Sequence, residues 1–302
     1  MKRWTAVASG GRTAAFLANA PATEGERAQE ARRSLARLAI RRVWMEMRAF
    51  GGEPGAVFFV FAYPLLMMTV FSSVFDQSRQ IVDPSGTVVI TFAHYFLPGV
   101  VATAVVLSSV QLIGIQVAQD RESGMLKRMR ATPLPPMAYF LGLLGQVVVS
   151  LTLQIVLLLV AAQFIWKVPM PTDPSVWLTF AWVCLASSAA GAAAGIAIGG
   201  LMPSARTASA FLIPFVLLLQ FISGVFVAFP DLPMWMKNLS AMFSLKWTAQ
   251  GFRSVFLPEA FAAAEPVGNW QHGMIALVLL AWIAVWAVVA QRTFRWYPQN
   301  AR

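Results

Sequence analysis

The chain has 302 residues, of which 58% are hydrophobic and only 12% charged, with a mean hydropathy of +0.65; soluble domains average about 25% charge. A water-soluble globule of this composition would expose long apolar runs, so the sequence fits a bilayer better than water. The net charge of +10 does not mark a nucleic-acid partner, because ten of the 23 basic residues lie in the first 48 positions and most of the others flank apolar runs. The single cysteine, Cys184, permits no internal disulfide, and with only His94 and His272 available no cysteine–histidine metal cluster is expected.

In chain order, residues 1–33 read as a flexible cytoplasmic tail rich in Ala, Arg, Glu and Gly. No apolar core follows Lys2 and Arg3, so a cleaved signal peptide is not expected. Residues 34–50 read as an amphipathic helix. Ala36, Ile40, Val43, Trp44 and Met47 share one face, while Arg37, Arg41 and Arg48 share another, a pattern suited to the membrane surface with arginines at the headgroups. An ordinary surface helix on a partner protein is the alternative.

Residues 51–295 form the expected transmembrane domain, an all-α membrane fold of six helices with apolar runs near 57–75, 92–117, 139–166, 176–202, 208–229 and 274–290. Pro64, Pro98 and Pro214 interrupt three of them, which is tolerable where neighbours satisfy the freed carbonyls. No charged residue lies within these runs, which argues against a proton relay or a voltage sensor. With the N-terminus inside, segments 1–56, 118–138, 203–207 and 291–302 hold eighteen Lys or Arg residues and the opposite side holds five. The excess places both termini, including a short tail at 296–302, in the cytoplasm of a cell that carries the chain in its inner or plasma membrane.

The loop from Asp120 to Pro133 reads as a short helix, capped by Asp120 or Ser123 and stopped at Thr132-Pro133. Met125, Leu126 and Met129 can face one way, with Lys127, Arg128 and Arg130 toward water or a partner. It is either a rigid element that receives a push or a basic loop that holds the topology. Within the fourth run, Gly191, Gly195 and Gly199 recur every fourth residue, giving either close packing inside the chain or a subunit interface. Residues 167–174 form a short turn flanked by Trp166 and Trp177, and 230–273 form a longer segment whose apolar pieces are too short to span. Short helices lying on or dipping into the outer interface are expected there, a solvated loop being the alternative. Thr103, Ser108, Ser109, Gln111, Gln116, Gln146, Thr152, Gln154, Gln220 and Ser223 must hydrogen-bond within the bundle or line a cavity. No nucleophile–base pair and no P-loop occurs, so no catalytic residue, metal site or cofactor site is assigned, and ATP binding would fall to another chain.

Four segments carry a resemblance to the permeases of type-2 ABC exporters, bacterial drug and antibiotic efflux members in particular. Glu53-Pro54 followed by Phe58, Phe59, Phe61, Tyr63 and Pro64 looks like the approach to that family's first span. Glu122, Gly124, Leu126, Thr132 and Pro133 resemble its Glu-x-Gly-Thr-Leu…Thr-Pro loop, with Met125 in place of the usual threonine. Ser223 to Pro230 with Leu232-Pro233 resembles the Ser-Gly signature that closes the fifth span, and Ser244 to Arg253 resembles a segment that usually ends in Leu-Arg, here Phe252-Arg253.

The resemblance covers residues 35–295 and implies a permease exporting a hydrophobic or amphiphilic, drug-like substrate. It implies two copies of an ABC ATPase that carry ATP and Mg, a second permease copy forming a homodimer, and surrounding membrane lipids. The 34–50 helix would be the connecting helix, through Arg37, Arg41, Trp44 and Arg48. Coupling to the ATPase would fall to Asp120, Arg121, Glu122, Gly124, Leu126, Arg128, Thr132 and Pro133. Gln111, Gln116, Phe215, Gln220 and Phe221 would be candidates for the substrate path. Export of lipids or lipid-linked saccharides by the same scaffold, an ion-coupled transporter and a membrane assembly factor are the alternatives.

Overall fold

The computed structural model describes residues 54–75, 81–130, 136–227 and 229–293, with positions 41, 43–45, 48 and 51–52. The tails 1–33 and 296–302, Arg37 and most of the amphipathic segment, and Thr132-Pro133 lie outside the described residues. Arg41, Trp44 and Arg48 are helical and exposed, and the Arg48 guanidinium sits 5.3 Å from the Trp44 ring centroid.

The bundle is built from α1 (Pro54–Phe75), a second span in three consecutive pieces, α5 (Pro136–Phe164), α6 (Pro174–Leu201), α7 (Ala205–Ile222) and α10 (His272–Thr293). The second span runs α2 (Phe92–Val106), a π-helical turn (Leu107–Leu112) and α3 (Ile113–Glu122); the short α4 (Met125–Arg130) follows it. Two further helices, α8 (Met234–Ser240) and α9 (Ser244–Phe256), lie between α7 and α10.

Among the described residues, five helices are long and apolar enough to cross a membrane: Phe92–Glu122, Tyr139–Phe164, Pro174–Leu201, Ala205–Ile222 and His272–Arg292. The apolar stretch of α1, Val60–Phe75, is shorter than these and is not one of the five. One departure from all-α structure is a two-stranded antiparallel ladder, β1 (Ile81–Val82) against β2 (Val89–Ile90). Asp83 holds its turn by accepting from the amides of Thr87 at 2.7 Å and Val88 at 2.6 Å.

Three sequence expectations change. Helix does not stop where the second apolar run ends at 117: it continues through Glu122, so Asp120 and Arg121 lie in its last turn, and both are buried. The burial is offset locally, since Asp120 accepts from the Tyr139 hydroxyl at 2.9 Å and Arg121 donates to the carbonyls of Gly200 and Met202. Asp120 therefore lies within a helix and not at the start of one; the helix breaks one turn later, where Gly124 takes φ +70°. The fifth apolar run is helical only to Ile222, because Gly224 at φ +74° reverses the chain. A side chain at Gly224 would also meet Phe229.

The segment 230–273 is not a solvated loop. Every residue of α9 except Ser254 is buried, against α2, α6 and α10. Gly251 lets α9 approach Val183, and Thr248 donates to Ser187 Oγ at 2.8 Å. Arg253 and Glu265 form a buried ion pair at 2.7 Å that ties α9 to the chain leading into α10.

Gly191, Gly195 and Gly199 of α6 face the second span. A Cβ on Gly195 would stand 2.7 Å from the Val110 carbonyl oxygen and 3.0 Å from that of Ser109; Gly191 faces the Ser109 side chain and Gly199 the Gly114 backbone. Backbone-to-backbone contact of this kind is what small residues permit in membranes, where packing rather than water drives association. Gly195→Ala is expected to destabilise by about 1–3 kcal/mol, because carbonyl atoms cannot rotate out of the way. Gly273→Ala should be neutral, because no atom lies within 4 Å of the place its methyl group would take. Thermal unfolding of the two variants in detergent separates these outcomes.

Candidate functional site

The π-turn lies against Gly191 and Gly195 of α6. A π-turn widens the helix by one residue and redirects its side chains, and such turns gather at functional sites. Here Ser109 and Val110 press into the α6 seam, where Ser109 Oγ donates to Val105 O at 2.6 Å. Leu107, Ser108, Gln111 and Leu112 face the other way, into a cavity of about 540 Å³.

That cavity is bounded by α1, the π-turn, α5 and α7. Its walls are apolar, with Val60, Ile213 and Leu217 opposite the π-turn leucines. Five uncharged polar side chains break the surface: Tyr63, Ser108, Gln111, Gln154 and Gln220. They form two linked pairs and one free end. Ser108 Oγ donates to Gln154 Oε1 at 3.2 Å, and Gln154 Nε2 donates to the Val60 carbonyl. Tyr63 donates to Gln220 Oε1 at 3.2 Å, joining α1 to α7. Gln111 Oε1 is buried without a hydrogen-bond partner, an acceptor facing a largely apolar space. Small-molecule sites have this make-up, apolar walls with a few fixed polar groups.

Of the path residues expected from sequence, Gln111 and Gln220 meet in this cavity, whereas Gln116, Phe215 and Phe221 do not line it. Phe215 stacks on Phe211, with centroids 5.6 Å apart, and Phe221 packs on Phe226 at 4.8 Å. Tyr63 is a site residue that the sequence reading does not single out. Its one signal is a hydroxyl-bearing ring within an otherwise apolar run. Along α1 from Tyr63, Phe71 stacks on Phe96 and Phe226, each at 5.1 Å, and closes the bundle on that side with Phe75 and Phe92.

At the other end of the second span, three consecutive residues tie α3 to the rest of the bundle. Asp120 holds α5 through Tyr139, Arg121 holds the last carbonyls of α6, and Glu122 accepts from the Ala205 amide, at the start of α7, at 2.9 Å. Carboxylate at a helix N-terminus and guanidinium at a helix C-terminus both suit the helix dipole. Beyond Gly124, α4 turns Leu126 inward, fully buried, and leaves Lys127 and Arg128 exposed. Of the eight expected coupling residues, the six that are described thus divide. Asp120, Arg121 and Leu126 are internal; Glu122, Gly124 and Arg128 stand at or near the surface.

No group of three or more His, Cys, Asp or Glu side chains capable of holding a metal ion occurs among the described residues. His94 Nε2 pairs with the Phe256 carbonyl at 2.7 Å and His272 Nε2 with Ser254 Oγ at 2.9 Å.

Gln154→Leu would strand Ser108 and the Val60 carbonyl and should destabilise the protein by about 1–3 kcal/mol. Gln111→Met removes an acceptor that is already unpaired and should fall within about 1 kcal/mol of the parent. Unfolding midpoints of the two variants, measured side by side, check the contrast.

Residues 39–257, most of the chain and all of both sites just described, match the family model described as ABC-2 type transporter. Among curated proteins none matches the sequence.

Proposed function

The chain belongs to the ABC-2 type transporter family, and from that premise we propose that it is the membrane permease of an ATP-driven exporter for a hydrophobic or amphiphilic, drug-like substrate. The observation that carries this reading is the cavity between α1, the π-turn, α5 and α7. Its 540 Å³ volume and apolar walls suit a compact organic molecule, and its five polar groups include no lysine, histidine or carboxylate. A cavity so lined offers no protonation switch for an ion-coupled cycle.

The proposed architecture has six spans, α1 included, preceded by an amphipathic helix at 34–50. Both termini lie in the cytoplasm of a cell whose inner or plasma membrane holds the protein, as the excess of Lys and Arg on that side supports. Two copies of this chain and two ATPase subunits form the complex, and ATP with Mg is bound by the ATPases alone.

In the proposed mechanism, closure of the ATPase pair pushes on α4 through its exposed Lys127 and Arg128. The push reaches α3 across Gly124 and, through Arg121 and Glu122, the connection between α6 and α7. Because α7 carries Ile213, Leu217 and Gln220, a shift of α7 relative to the π-turn changes the cavity directly. The Phe71, Phe96 and Phe226 cluster forms the barrier on the outer side. The cavity then opens alternately to the two sides of the membrane.

Two changes test the two halves of this reading in vesicles containing the permease and its ATPase. Glu122→Lys with Gly124→Pro removes the α7 contact and forbids the φ of +70° that proline cannot adopt. Export is expected to fall at least tenfold and to lose its dependence on ATP turnover. Ile213→Trp fills the cavity and should abolish export while ATP hydrolysis continues. Unchanged export in both variants would refute the proposal.

A further inference from the structure

A second cavity, of about 400 Å³, lies where α8, the start of α9 and the chain leading into α10 come together. Its character differs from that of the first. The lining includes two cations, Lys237 and Lys246, the amides of Asn238 and Gln271, and no carboxylate. The rim is apolar and open, with Met234 69% and Val267 61% exposed.

Lys246 stands apart from an ordinary surface lysine, being only 3% exposed. Its Nζ donates to Gln250 Oε1 at 2.5 Å and lies 3.7 Å from the Trp247 ring centroid and 5.5 Å from that of Phe229. An ammonium has three N–H donors, and Gln250 Oε1 is the one oxygen acceptor that Lys246 meets among the described residues, the other two contacts being ring faces. The buried carboxylate of this region, Glu265, is engaged by Arg253 Nε at 2.7 Å, although its Oε2 has no hydrogen-bond partner. Burial draws the Lys246 ammonium down to about 8, opposed by Glu265 and reinforced by Arg253, so the group remains mostly charged at neutral pH. A buried charge without an ion-pair partner among the described residues is costly unless something else supplies the counter-charge.

We propose that this cavity binds the anionic end of an amphiphile, a phosphate or carboxylate on an apolar chain, with Lys246 as its ion-pair partner. The head group enters between Lys246, Lys237 and the two amides, and the chain leaves across Met234 and Val267. The apolar rim continues onto Trp235 and Met242 of the same region, both more than 60% exposed, so the chain passes from the cavity onto an apolar surface. A bilayer phospholipid and an acidic cargo share this chemistry. The assignment does not rest on the export reading, since a lipid would occupy the cavity whether or not the chain transports anything.

The test is native mass spectrometry of the full-length chain in neutral detergent, titrated separately with dioleoyl phosphatidylglycerol, dioleoyl phosphatidylcholine and dodecyl phosphate. The unmodified chain is expected to retain phosphatidylglycerol at least tenfold more tightly than phosphatidylcholine. Lys246→Gln should erase that preference and Lys246→Arg should keep it. Met234→Glu, at an exposed rim position that spares the core, should weaken anion binding severalfold by repulsion. Preference for phosphatidylglycerol without dodecyl phosphate binding assigns the site to bilayer lipid, and binding of both opens it to acidic cargo. Equal retention of the two phospholipids by the unmodified chain, or a preference that survives both Lys246→Gln and Met234→Glu, would overturn the proposal.

Discussion

The contact between the glycines of α6 and the backbone of the second span sets the positions of most other elements. Gly195 lies so close to the Ser109 and Val110 carbonyls that no side chain fits between them. The widened π-turn is seated in the groove left by the missing Cβ atoms, and its own side chains are divided by that seating. Ser109 and Val110 are committed to the seam, and Ser108 and Gln111 are presented to the cavity. In a bilayer, where apolar side chains gain little by leaving lipid for protein, such close packing is a main source of specificity in helix association.

Polar and charged groups, most of them buried, tie the two ends of this seam to the rest of the bundle. At one end Asp120, Arg121 and Glu122 each reach a different helix, so α3, α5, α6 and the start of α7 form one mechanical unit. At the other, α9 is wedged among α2, α6 and α10 and fixed by Thr248 to Ser187 and by Arg253 to Glu265. Between them the Gln154, Ser108, Tyr63 and Gln220 bonds cross from helix to helix without any charge. Uncharged bonds of this kind are weak enough to be exchanged during a conformational cycle, whereas the ion pair and the charge-assisted bonds at the ends are harder to break.

Much of this was legible in the sequence because it depends on composition over long windows. The apolar runs beginning at 92, 139, 176, 208 and 274 each correspond to a long helix, and the spacing of Gly191, Gly195 and Gly199 already marked one face of α6. The rest depends on contacts that no local pattern encodes. Asp120 and Arg121 read as loop residues because their charges end the apolar run, yet Tyr139 and the α6 carbonyls, distant in sequence, allow them to be helical and buried. The run 208–229 has no polar interruption strong enough to reveal that Gly224 turns the chain. The π-turn follows ordinary helical residues, and the glycine groove it packs into lies about 80 positions away. For the same reason Gln111 and Gln220 could be named as path candidates together with Gln116, Phe215 and Phe221, while the face each residue takes on its own helix, the second span or α7, separates them.

The central claim is that the second span presents one side to the glycine seam and the other to a cavity that opens during transport. Cysteine accessibility tests it most directly, in a Cys184→Ser background with the ATPase bound. Gln111→Cys should react with a small water-soluble methanethiosulfonate, faster during ATP turnover than at rest, while Ser109→Cys, two residues away, should stay unreactive throughout. Reaction at Ser109→Cys, or an inert Gln111→Cys under turnover, would contradict the account.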